Sequence, residues 1–133
     1  MGKEFYFKSD DLVIWRPTGT LDVPKIVEFL KFLDQSAVNK DEHFHRFIDL
    51  TKVDGISLSY TSLSNIAAQR TTYATDSLSR PVRMAFLISN SFTFGMARMY
   101  ESILADDHYD IAIFRTIEEV AQWLGVDEEM LTG

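Results

Sequence analysis

The stretch FIDLTKVDGISLSYTSL, residues 47–63, begins as a buried strand and then breaks into acid, glycine and hydroxyl side chains. Phe47, Ile48 and Leu50 are apolar, whereas Asp54, Gly55, Ser57, Ser59, Thr61 and Ser62 crowd the positions that follow. The chain then enters a helix whose Leu63, Ile66, Ala67, Arg70 and Ala74 share one face. The hydroxyls have two readings. They can simply cap that helix by accepting from its free backbone amides. They can also face a visitor, because a helix start at the carboxyl edge of a parallel sheet is where anions and ligands bind in α/β folds.

Working outward from this stretch, segments of strand and helix character alternate. EFYFKSDDLVIWRPTG reads as two strands, about 4–8 and 12–17, joined by a tight polar turn and therefore antiparallel. Phe5 and Phe7 share one face, and Leu12 and Ile14 share one. Asp22 then caps a helix carrying Pro24 in its first turn, with Ile26, Leu30, Leu33 and Ala37 as its buried stripe. Phe29 falls at the edge of that stripe and Phe32 well outside it. A strand over 43–50 leads into the opening stretch, and VRMAFLIS (82–89), apolar on nearly both faces, reads as a central parallel strand. Asn90 or Ser91 caps a third helix with Phe92, Met96, Met99, Ile103 and Leu104 along one side. YDIAIF (109–114) is the last strand. The final helix has Thr116 and Glu119 in capping-box spacing and Gly125 as C-cap.

The predicted order is β-β-α-β-α-β-α-β-α. Such alternation means an α/β fold with a mixed, mostly parallel five-stranded sheet. A chain of 133 residues fits one domain, 1–133, with its core at about 10–125. The 46% hydrophobic and 13% aromatic content supplies that core.

The net charge of −7, with basic residues scattered singly, points away from nucleic acid. With no Cys, thiol catalysis, disulfides and thiolate metal sites are excluded. No apolar run approaches the ~20 residues of a membrane span, and the start carries no secretory pattern, so a cytoplasmic protein is expected. His43 and His45 share a strand face, but Asp49 lies about 13 Å farther along it. No metal and no cofactor are therefore expected. Glycine-rich phosphate loops and G-x-S-x-G elbows are missing too, and an enzyme is not expected. Gly95, inside the third helix, suggests close backbone packing there.

The element order, with FIDLTKV leading into a hydroxyl-rich helix start, resembles the STAS domain of anti-sigma-factor antagonists, the SpoIIAA-like fold. The run FGMARMYESILADDHYDIAIFRTIEEVAQWLG (94–125) looks similar to an uncharacterised bacterial STAS-like or Sec14-like branch. The resemblance implies a non-catalytic regulatory domain acting through protein contacts. In that family the loop after the Asp-Leu strand holds a D-S-[ST]-G motif with a phosphorylated Ser. The matching segment here is Ser57-Leu58-Ser59-Tyr60, with Leu58 at the acceptor position or the acceptor offset to Ser57 or Ser59.

The expected site is thus a binding or phosphoacceptor loop of Asp54, Ser57, Ser59, Tyr60, Thr61 and Ser62. Arg98 has two readings, an anion contact to this loop or an intrahelical partner of Glu101. Phe29 and Phe32, if exposed, form an interface with a protein partner or a second copy in a homodimer. The alternative implied by the Sec14-like relatives is a binder of a small apolar or lipid-like ligand.

Overall fold

The computed structural model describes residues 4–9, 11–37, 45–59, 61–66, 82–104 and 109–132. The chain opens with strands β1 (Phe5–Ser9) and β2 (Leu12–Trp15), followed by β3 (Gly19–Asp22) and helix α1 (Val23–Ala37). Next come β4 (His45–Asp49), β5 (Val53–Ser57) and α2, helical over 61–66. Strand β6 (Val82–Leu87), α3 (Ser91–Leu104), β7 (Tyr109–Phe114), α4 (Ile117–Leu124) and α5 (Glu128–Thr132) complete it.

Five strands form one sheet in the order β1-β2-β4-β6-β7. Only the opening hairpin is antiparallel, and the pairs from β2 to β7 are all parallel. These are the five strands read from the sequence.

Because strand side chains alternate, each strand feeds both faces. Val13 and Trp15 of β2, Ile48 of β4 and Met84 and Phe86 of β6 enter one core cluster, under α1, α2 and α3. Leu12 and Ile14, Phe47, and Ala85 and Leu87 enter the other, under α4 and α5. The buried run from Met84 to Ile88 follows from this double coverage.

Three N-caps and one C-cap hold, the cap of α3 falling to Asn90 of its two candidates. Asp22 Oδ1 accepts from the Lys25 amide at 3.1 Å, and Asn90 Oδ1 from the Thr93 amide at 3.0 Å. Thr116 Oγ1 accepts from the Glu119 amide at 3.2 Å, while Gly125 closes α4 in the left-handed region at φ 74°. Any side chain at that φ is disfavoured, so glycine is what the stop requires.

Four expectations need correction. First, β3 and β5 form a separate two-stranded parallel sheet, so residues 53–57 are strand and not loop. Adjacent parallel strands β2 and β4 deliver their chains side by side at one edge, where the following segments pair. Gly55 is therefore not a turn residue but a strand residue opposite Thr20, and a Cβ on it would lie 3.4 Å from Thr20 Oγ1. Second, α5 extends the fold past residue 125, and its Leu131 is fully buried against the second cluster. Third, Gly95 is exposed, and a Cβ built on it meets nothing within 4 Å among the described residues. Close packing is not its reason.

Fourth, Phe29 is only 3% exposed and stacks on Trp15 with ring centroids 4.4 Å apart. Phe32 is half-buried, its ring 4.8 Å from Phe5 and 5.5 Å from Phe7. The hairpin reaches beneath α1 and engages both rings. The condition for an interface, free exposure, is not met at Phe29.

Candidate functional site

The carboxyl edge of the sheet holds most of the residues singled out in the sequence. At the end of β4, Asp49 Oδ1 accepts from the Thr51 amide at 2.9 Å and from its hydroxyl at 2.6 Å. That is an Asx turn, the local reason the strand stops and the chain bends toward β5. Arg16, at the end of β2, lies 3.5 Å from the other Asp49 oxygen and donates to the Tyr6 hydroxyl at 2.6 Å.

Beyond this turn, along β5, Val53 is buried, Asp54 exposed, Gly55 and Ile56 half-buried and Ser57 exposed, with an irregularity in the pairing between Val53 and Gly55. Leu58 turns inward against the first core cluster. Ser59 is the cap of α2, its Oγ accepting from the Ser62 amide at 3.1 Å and its carbonyl from the Leu63 amide at 3.1 Å. The Ser59 and Ser62 hydroxyls are also 3.0 Å apart. Thr61 is exposed and Ser62 half-buried, whereas Tyr60 lies outside the described residues. Ser57, Ser59 and Thr61 thus stand in solvent around one helix start. Ser59 already has a structural task as the cap of α2.

Arg98 pairs with Glu101 at 2.9 Å, three residues on along α3, and its side chain is 62% exposed. This is the intrahelical reading. Among the described residues its hydrogen bond and ion pair go to Glu101 and not to the 54–62 segment. His45 Nδ1 accepts from the Arg83 amide at 3.1 Å, a structural role, and His43 and His108 lie outside the described residues. Among the described residues no three His, Cys, Asp or Glu side chains group as a metal site, and no helix is long and apolar enough to cross a membrane.

A second feature lies inside the fold. Between the sheet and helices α1–α3 is a cavity of about 40 Å³, walled by apolar side chains including Leu33, Ile48, Met84 and Phe86. Three side chains with polar atoms share that wall, Trp15, Arg46 and Tyr100. Trp15 is 4% exposed and Arg46 1%. Both point to the same face of the sheet, since Trp15 pairs with Ile48 and Arg46 stands two residues before Ile48. Strands ~4.8 Å apart with ~3.3 Å per residue place the two Cα atoms about 8 Å apart.

A search of solved structures finds this architecture in an uncharacterized protein of the DUF3478 family from Shewanella loihica PV-4, whose crystal structure has a SpoIIAA-like fold. The match covers 90% of each chain with a TM-score of 0.57 and 16% sequence identity. The fold is SpoIIAA-like. No family model matches the sequence, and no curated protein matches it either.

Within the SpoIIAA-like frame, three residues escaped the sequence reading. Arg46 had a legible signal: in HFHRFIDL it shares parity with Ile48, which sets a charge on a buried face. Trp15 carries no sequence signal beyond its place in the second strand. Phe94, in the first turn of α3, is 39% exposed, with the Arg115 guanidinium 5.6 Å from its ring centroid. Its exposure depends on how α3 rotates, which periodicity alone leaves open.

Proposed function

We propose that this chain is a non-catalytic regulatory domain working through protein contacts, with the carboxyl edge from Asp54 to Ser62 as its contact surface. The carrying observation is that Ser57, Ser59 and Thr61 are all exposed where β5 gives way to α2. The paired strands β3 and β5 hold this segment in place, so it presents side chains from an ordered edge. Helix α3 also starts where a parallel strand ends, which sets Phe94 and Arg115 at the same edge. Aromatic residues and Arg are the types enriched in protein interfaces. A phosphate on Ser57 or Thr61 would add about −2 of charge beside the positive end of α2 and change what this edge can bind.

The test is phosphosite mapping of the chain isolated from its own cells, together with sedimentation of wild type and a Ser57→Arg/Phe94→Asp double variant. Phosphate within Ser57–Ser62, or loss of a partner or of dimerisation in the variant, supports the proposal. Phosphate confined elsewhere, together with unchanged assembly, overturns it.

The rival reading, a lipid-like ligand, is weighed by size. A cavity of about 150 Å³ is what houses a benzene ring. The interior void of about 40 Å³ is far below that. An acyl chain would need α1 or α2 to move away from the sheet.

A further inference from the structure

The void beneath α1–α3 is too small for a lipid, yet it is not an ordinary packing defect. Empty cavities are apolar, and three of its wall residues, Trp15, Arg46 and Tyr100, carry polar atoms. The Trp15 indole Nε1 is buried and has no hydrogen-bond partner among the described residues. A buried donor left in that state costs about 1–3 kcal/mol. Arg46, 1% exposed, adds a permanent positive charge to the same wall. A guanidinium has five N–H donors in a fixed fork, so it can serve a bound group alongside its other contacts.

We infer that this cavity is a binding site for a small monoanion of the size of formate or acetate, held between the Arg46 guanidinium and the Trp15 indole N–H. Both side chains only donate, and an ionised carboxylate only accepts, through two oxygens. Charge-assisted hydrogen bonds of this kind are stronger than neutral ones, and more so away from water. Size sets the other limit. A water needs about 10–15 Å³ of such volume, so a void of about 40 Å³ takes roughly three water-sized groups. Apolar neighbours such as Leu33 and Met84 suit the methyl of acetate. A divalent oxyanion would bring a second charge that the apolar wall cannot solvate. The site lies inside the domain and stands independently of the edge proposed above.

The test uses the ¹⁵N-labelled full chain. It has two tryptophans, so the indole N–H region of the NMR spectrum contains Trp15 and, as an internal control on the other sheet face, Trp123. Formate and then acetate are titrated at constant ionic strength, with sodium sulfate as balancing salt. The expected result is a saturable downfield shift of the Trp15 indole proton with Trp123 unmoved, and little response to benzoate. Arg46→Met is expected to weaken the apparent affinity at least about tenfold, since hydrogen bonds to charged groups exceed neutral ones. If that variant fails to fold, Arg46→Lys keeps the charge without the fork and is expected to bind more weakly than wild type. No shift at Trp15 means water alone fills the void and overturns the inference, as does an equal, unsaturating drift of both indoles. Affinity unchanged in the Arg46 variants overturns the role of the guanidinium, and tight binding of benzoate overturns the size limit.

Discussion

On one face of the five-stranded sheet, α4 and α5 cover the apolar side chains of Leu12, Ile14, Phe47, Ala85 and Leu87. On the other, α1, α2 and α3 cover Trp15, Ile48, Met84 and Phe86 and leave a cavity that Arg46 helps to line. The first face is also pinned from outside. Arg83, on β6, donates to the Trp123 carbonyl at 2.6 Å near the end of α4, with its guanidinium 5.5 Å from the Trp123 ring centroid. A cation there suits the negative end of the helix. The difference is one of composition as much as of packing. The α4 and α5 pair closes its face with Val120, Ala121, Leu124 and Leu131 buried and Trp123 packed against them. On the other face the strands bring Trp15, Phe86 and the Arg46 guanidinium to the cavity wall, and the helices bring Phe29 and Tyr100.

The sharpest way to probe this contrast is to remove volume from the closed face. Phe47 is fully buried there, and Phe47→Ala is expected to cost about 3–5 kcal/mol in urea unfolding. A loss below about 2 kcal/mol would mean that α4 and α5 collapse onto the gap, and that the face is less rigid than its packing suggests.

Adding volume separates the faces by sign. Ala85 is fully buried on the closed side, so Ala85→Val forces neighbours apart and is expected to lose about 1–3 kcal/mol. Leu30 borders the cavity, and Leu30→Phe extends into existing space, with an expected gain of about 0.5–2 kcal/mol. Paired urea titrations check both. Equal losses in the two variants would erase the distinction between a filled and an unfilled face.

The glycines in the two helical layers extend the same comparison to the backbone. Gly125 ends α4 at φ 74°, where Ala is strained, so Gly125→Ala is expected to lower stability by about 1 kcal/mol. Gly95 lies within α3, exposed and with open space around its Cβ position. Gly95→Ala is therefore expected to raise stability by about 0.5–1 kcal/mol, read as a higher melting temperature. A loss there would point to a contact of α3 beyond the described residues.

What the sequence disclosed follows the same physical divide. The five sheet strands were legible because each carries a run of apolar side chains, as LVIW and MAFL do. The caps at Asp22, Thr116 and Gly125 were legible because capping is local chemistry. Strands β3 and β5 were not, because GTLD and VDGIS carry glycine and polar groups. They become strands only when the parallel pair β2 and β4 sets them side by side. The orientation of Phe29 was hidden for a related reason: its burial depends on Trp15 and Phe5, partners from a different element. The hydroxyls at Ser57, Ser59 and Thr61 were found as residues, but their exposure is a property of the assembled edge. The interior polar pair was out of reach as a pair, since a cavity belongs to several elements at once.

The smallest expected effect bears on the residue that the sequence resemblance alone had raised. Arg98 and Glu101 form an exposed pair along α3, and such pairs contribute about 0.2–0.5 kcal/mol and weaken with salt. Arg98→Ala is therefore expected to change stability by no more than a few tenths of a kcal/mol, with most of that gone in 1 M salt. Phosphorylation anywhere in Ser57–Ser62 is expected to leave this value unaltered, because the guanidinium already serves Glu101. A double-mutant cycle of Arg98→Ala with Thr61→Asp checks the point: a coupling above about 0.5 kcal/mol would join α3 to the hydroxyl edge electrostatically and restore Arg98 as an anion contact.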